Sequence, residues 1–125
     1  MKVKIYLRSI VKDKKNCLAL FDSNRNAAIN ELKTVVKEGD TILWKLDRCS
    51  GIKSINRIYS NLHVHPVFKS EPRKQLLCKG FKLQIEKEIV GTAEYVEEKY
   101  IIECTLCDKN NTLLPIDPYI RVEPV

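Results

Sequence analysis

Charged and apolar residues alternate from the start of the chain, with Val3, Ile5 and Leu7 on one side of an extended Lys2–Ile10 segment and Lys4, Tyr6 and Arg8 on the other. This is the period-two pattern of a strand with one buried face. The polar run from Val11 to Asn16 turns the chain, and Cys17–Phe21 returns as a second strand, so the two form a hairpin that ends at the turn-prone Asp22–Asn26. Ala27–Leu32 holds the only good helix formers, but it runs directly into the β-branched Thr34, Val35 and Val36, so at most one helical turn is expected. Glu38-Gly39-Asp40 is a turn into Thr41–Leu46, where Ile42, Trp44 and Leu46 share a face and Trp44 is expected near the centre of the core. Ile52, Ile55 and Ile58 are spaced by three, which suits a kinked strand or a helical turn. Pro66 keeps Val64–Phe68 extended, and the polar Ser70–Lys74 loop leads to Leu76 and Leu77.

Cys78–Ile85 alternates, with Gly80 marking a bulge. Glu94–Cys107 is the clearest strand, with Tyr100, Ile102, Cys104 and Leu106 on one face and Ile101, Glu103 and Thr105 on the other. Asp108–Asn111 turns the chain, Thr112–Ile116 returns, Asp117-Pro118 interrupts, and Tyr119–Val122 forms a short terminal strand. About six to eight strands at roughly ten-residue spacing predict an all-β, antiparallel Greek-key sandwich with at most one short helix. A length of 125 residues fits one domain spanning 1–125. With 44% apolar and 30% charged residues, the composition is that of a chain that folds in water, and no stretch suits a bilayer crossing.

The opening Met1–Arg8 segment has no uninterrupted apolar region of the kind a secretory signal needs, and a cytoplasmic location is expected. The five cysteines, Cys17, Cys49, Cys78, Cys104 and Cys107, are odd in number and scattered, which fits reduced thiols. Twenty-two Lys and Arg against sixteen Asp and Glu leave a net charge of +6, a bias toward acidic partners.

The Glu38–Trp44 segment, together with Tyr100-Ile101-Ile102 and the C-terminal Ile116–Val122, resembles small bacterial β-sandwich proteins of cupredoxin-like or immunoglobulin-like fold. Cupredoxins enter a core strand through a Gly-Asp turn and place an aromatic residue on it, roles the resemblance assigns to Gly39, Asp40 and Trp44. A blue-copper centre needs two imidazoles, a thiolate and an axial thioether. In that family the late Cys is followed by His and then Met, whereas Cys104 and Cys107 are followed by Asp108 and Asn110 and the only Met is Met1. The resemblance therefore carries the fold and not the copper.

Cys104-Thr105-Leu106-Cys107 has the spacing of a zinc knuckle or redox pair, with His63 and His65 the nearest further metal-ligand candidates. On a strand, however, residues three apart face opposite sides, so Cys104 is expected inward and Cys107 outward, each unliganded. His63 and His65 beside Pro66 read as loop residues. There is no nucleophile elbow and no phosphate-binding glycine loop, so neither enzymatic activity nor a cofactor is expected. The acidic Glu86–Glu88 and Glu94–Glu98 runs read as a solvated hairpin tip.

Lys2, Lys4, Arg8, Arg73 and Lys74 form a basic face if the first strand lies near the loop after Phe68, and such a face binds phosphate backbones. Tyr6 and Tyr59 are the aromatic residues available for stacking beside it. The competing explanation is that Lys2, Lys4 and Arg8 guard an exposed edge strand. The leading expectation is a non-enzymatic module that docks another protein through a sheet face or an edge strand, with the first strand and Tyr119, Ile120, Arg121 and Val122 as the edges. Nucleic-acid binding by the basic face is the alternative, followed by metal binding.

Overall fold

The computed structural model describes residues 1–76 and 80–125, so Leu77, Cys78, Lys79 and the start of the expected Cys78–Ile85 strand lie outside the described residues. In chain order the strands are β1 (Lys2–Lys12), β2 (Lys15–Asp22), β3 (Ala27–Ile29), β4 (Lys33–Lys37), β5 (Thr41–Leu46) and β6 (Ile52–Tyr59). They continue as β7 (Arg73–Lys74), β8 (Phe81–Gln84), β9 (Val96–Lys99), β10 (Ile101–Leu106), β11 (Leu113–Ile116) and β12 (Tyr119–Glu123). Among the described residues they make a six-stranded sheet, β3-β2-β1-β5-β8-β7, and two three-stranded sheets, β11-β10-β6 and β4-β12-β9. The protein is all-β as expected. Among the described residues it has twelve strands rather than six to eight, because several are only two to four residues long. The pairing is antiparallel except at β1/β5 and β4/β12, which run parallel.

Local chemistry explains most elements. Asp13 (φ 52) and Lys14 (φ 62) both adopt positive φ, and Lys12 pairs with Lys15, so the first hairpin closes through a two-residue turn whose twist matches its strands. Asp22 then accepts hydrogen bonds from the backbone N–H groups of Asn24 (2.9 Å) and Asn26 (3.0 Å), forming the turn that returns the chain beside β2. Ala27–Ile29 is consequently a strand and not a helical turn. Pairing of Ala19 with Ile29 and of Phe21 with Ala27 satisfies backbone groups that a single helical turn would leave open.

The spacing of three in Ile52, Ile55 and Ile58 is produced by two irregularities in β6. Glu103 faces Arg57 and Cys104 faces Ile55, then Thr105 faces Ser54 and Leu106 faces Ile52, so Asn56 and Lys53 are extra residues opposite β10. Each bulge resets the alternation and lets all three isoleucines point inward. The single strand expected over Glu94–Cys107 is two. Glu98, Tyr100, Ile102, Cys104 and Leu106 are buried in unbroken alternation, yet β9 pairs with β12 while β10 pairs with β6 and β11. Tyr100 stands where the chain passes from one sheet to the other, and its N–H donates to Pro118 O at 3.0 Å.

Neither expected edge is an edge. β1 lies between β2 and β5, and β12 lies between β4 and β9. The first strand therefore has no open flank for its lysines to guard. Terminal position in the sequence misleads here because parallel pairing brings β5 and β4 against strands that look peripheral.

Buried side chains from all three sheets meet in one core. At its centre the Trp44 indole N–H donates to the Tyr100 hydroxyl oxygen at 3.0 Å, with the Phe68 ring against both. Burial raises the Tyr100 phenol above its ordinary range, against a smaller opposing effect of the Trp44 hydrogen bond. Gly39 (φ 82) and Asp40 form the turn into β5 expected from the sequence, and Asp40 Oδ2 accepts from Lys37 N–H at 2.9 Å. Tyr100→Phe strands the buried Trp44 N–H without its acceptor and is expected to cost about 1–3 kcal/mol. Urea unfolding followed by the emission of this single tryptophan checks it, and an unchanged midpoint would remove the bond from any structural role.

Candidate functional site

The alternation that buries Val3, Ile5 and Leu7 turns Lys2, Lys4, Tyr6 and Arg8 to the outer face of the six-stranded sheet. Register adds residues from four neighbouring strands. Lys4 lies opposite Leu43, Leu43 opposite Lys82, and Lys82 opposite Arg73, a row that crosses β1, β5, β8 and β7. Tyr6 lies opposite Lys45 on one side and Phe21 on the other. The Tyr6 and Phe21 rings are 5.6 Å apart and within 20° of parallel. Lys2, Leu43, Lys45, Gln75, Gly80 and Lys82 line a shallow depression of about 210 Å³ on this face.

Charge pairing separates this face from the other two sheets. On β4-β12-β9, Lys33 pairs with Glu97 (3.2 Å), Lys37 with Glu123 (3.5 Å), Lys99 with Asp117 (2.9 Å) and Arg121 with Glu123 (3.4 Å). On β11-β10-β6, Arg57 pairs with Glu71 (2.7 Å) and lies 4.1 Å over the Tyr59 ring, whose hydroxyl donates to Glu103. Among the described residues, Lys2, Lys4, Lys45, Arg73 and Lys82 have no ion-pair partner. Arg8 is the exception on the basic face, because its guanidinium meets Asp47 at 2.6 Å. Five cations without an ion-pair partner therefore lie on one sheet face.

Lys2, Lys4, Arg8 and Arg73 thus share a face as the sequence suggested. Lys74 does not, since it lies opposite the buried Phe81 and alternates to the other side of the sheet from Arg73. Tyr59 belongs to β6 and is engaged by Arg57 and Glu103, so only Tyr6 of the two expected stacking residues is present. Lys45 and Phe21 were missed. Both sit at outward positions of strands legible in the sequence, but the parallel β1/β5 pairing that brings Lys45 beside Tyr6 leaves no local signal. Tyr119, Ile120, Arg121 and Val122 lie on the central strand of their sheet, with Ile120 and Val122 buried.

The metal-ligand candidates stand apart in burial and partners. Cys104 is buried, and that burial pushes its thiol up to about 12, whereas Cys107 is exposed, as the alternation predicts. His63 is exposed, and His65 Nδ1 lies 3.0 Å from Glu98 Oε2. Among the described residues no three His, Cys, Asp or Glu side chains are grouped to hold a metal.

Glu98, read from its acidic neighbours as solvated surface, is instead 1% exposed. Its Oε1 accepts the backbone N–H groups of Val67 and Phe68, each at 2.9 Å, and its Oε2 faces His65. One carboxylate on β9 therefore ties down the loop that carries Phe68 into the core. Burial alone would raise its pKa, but hydrogen bonds from Ser60, Phe68, His65 and Val67 outweigh burial and hold it below the ordinary carboxylate range. The missed signal was the alternation itself, which puts Glu98 in phase with Tyr100 and Ile102. A carboxylate with a depressed folded pKa adds stability above its unfolded pKa of about 4.3 and loses it as pH falls through the folded value. Glu98→Gln is accordingly expected to lower stability by roughly 2 kcal/mol at pH 7, with parent and variant converging in acid. Urea midpoints measured from pH 7 to pH 3 check this, and a constant gap at every pH would contradict it.

No protein-family model matches the chain, and no curated protein matches it.

Proposed function

We propose that the protein is a non-enzymatic binding module that docks nucleic acid on the outer face of its six-stranded sheet. The observation that carries this reading is the group of five unpartnered cations, Lys2, Lys4, Lys45, Arg73 and Lys82, on a molecule whose other described sheet faces neutralise their own charges. Protection of an edge strand was the competing explanation for the lysines of β1, and β1 has a neighbour on each side. Desolvating unmatched lysines against a neutral partner is costly, whereas a phosphate backbone supplies the missing charge and releases its counterions. A cytoplasmic location and a cupredoxin-like or immunoglobulin-like sandwich without copper belong to the same reading. The unpaired thiols of Cys17, Cys49, Cys104 and Cys107 and the all-β architecture support them.

A second reading, docking of a protein at an edge strand, is favoured by the β11 edge. There Leu113 is 70% exposed and Leu62 46% exposed, and Leu62 and Pro115 line a cleft of about 460 Å³. The two readings respond differently to salt and to substitution. Engagement of five phosphates by these cations gives a salt slope of about −3.5 on a single strand, hence a roughly hundredfold loss of affinity between 50 and 200 mM salt. Lys4→Glu with Lys82→Glu is expected to weaken binding of a labelled oligonucleotide by at least about tenfold, while Lys33→Glu on the opposite sheet leaves it nearly unchanged. Fluorescence anisotropy across a salt series checks both. Affinity indifferent to salt and to the double charge reversal would reject the reading. Equal competition by polyglutamate would point to an acidic protein, and a lysate partner lost only with Leu113→Asp would favour the edge strand.

A further inference from the structure

The outer face of the six-stranded sheet is divided along its length. Beyond the hairpin end, where Lys15 faces outward opposite Lys12, its side chains on β2 and β3 are Cys17, Ala19, Phe21, Ala27 and Ile29, all uncharged, with Ile29 39% exposed. On β5, β8 and β7 they include Lys45, Lys82 and Arg73. β1 is the boundary, where Tyr6 stands between the unpaired Lys2 and Lys4 on one side and Arg8, neutralised by Asp47, on the other. Strands lie about 4.8 Å apart, so Lys82 is roughly 10 Å and Arg73 roughly 14 Å across the sheet from Lys4. Along β1, Tyr6 is roughly 6.6 Å from Lys4.

We infer that this face selects single-stranded over duplex nucleic acid, with bases stacked on the Tyr6–Phe21 pair and the phosphate backbone on the Lys4, Lys82 and Arg73 side. The inference rests on the nucleic-acid reading above and specifies its ligand. An unpaired strand is itself divided lengthwise, charged phosphates along one edge and flat apolar bases along the other, and it matches the face half for half. A duplex offers phosphates on its whole outer surface and keeps its bases stacked inside, so it engages the cations and leaves the aromatic half facing charge. The Tyr6 and Phe21 rings already stack on one another across neighbouring strands, and neither ring is buried, so a base extends an existing stack. Stacking of a base on such rings is indifferent to base identity, so the expected selectivity is for strandedness and not for sequence.

The test uses the full chain with two fluorescein-labelled probes, a 20-nucleotide oligo(dT) and a 20-base-pair mixed-sequence duplex, at 50 mM salt. The expected result is at least about tenfold tighter binding of oligo(dT). Phe21→Leu, which keeps an apolar side chain on the sheet but removes the ring, is expected to weaken oligo(dT) binding about tenfold and duplex binding less than twofold. Tyr6→Phe, which keeps the ring, is expected to retain oligo(dT) binding within about twofold. Emission from the buried Trp44 reports whether each variant is folded, and Tyr6→Leu replaces Phe21→Leu if the latter is not. Equal affinity for the two probes, a preference for duplex, or equal loss of both on removing the ring would overturn the inference while leaving the charge-based reading in place. Failure of the unsubstituted protein to bind either probe would overturn both.

Discussion

Three sheets can share one core only if something fixes how they meet, and here that junction is the hydrogen bond between Trp44 and Tyr100. Trp44 belongs to the six-stranded sheet. Tyr100 is the residue at which the chain leaves the β4-β12-β9 sheet and enters the β11-β10-β6 sheet. A single buried contact of 3.0 Å therefore touches all three sheets. Both partners are polar groups in an apolar interior, and each makes the other's burial tolerable. Phe68 completes the cluster, and Glu98 holds Phe68 in place by accepting its backbone N–H. Alternative sheet packings would separate Trp44 from Tyr100 and leave a buried N–H unpaired, so the pair specifies the arrangement as well as stabilising it.

Charge follows a different logic on each outer face. The two small sheets neutralise most of their cations locally, through cross-strand pairs such as Lys33 with Glu97 and Lys37 with Glu123. Exposed pairs of this kind add little stability. They do remove net charge from the surface they occupy. The six-stranded sheet lacks such pairs at Lys2, Lys4, Lys45, Arg73 and Lys82, which leaves a patch of positive charge on its outer face. A folded protein tolerates such a patch because the lysines are solvated and the sheet beneath is secured from its other face by Ile5, Leu20, Ile42 and Trp44. The unpaired cations and the buried core thus occupy opposite faces of the same strands.

The alternation along each strand made the inward residues legible, and Trp44, Tyr100, Ile102 and Cys104 lie where the pattern puts them. It also contained the burial of Glu98, although the surrounding acids suggested a surface run. Alternation records which side a residue faces and nothing about which strand lies next to it. For that reason Glu94–Cys107 reads as one strand although it serves two sheets, and Tyr119–Val122 reads as an edge although it is central. The isoleucines spaced by three were ambiguous for a related reason, since a bulge is defined by the partner strand as much as by the strand that carries it.

What the sequence determined by itself was the all-β class, the positions of the turns and the inward or outward sense of most strand residues. These depend on residues close together in the chain, through backbone preference and the two-residue period. Tertiary structure alone decided that β1 is internal, that Lys45 and Phe21 flank Tyr6, and that Lys4, Lys82 and Arg73 form one row. Each of these follows from hydrogen bonding between segments tens of residues apart, some of it parallel, and register between distant strands is chosen by the packing of the whole core.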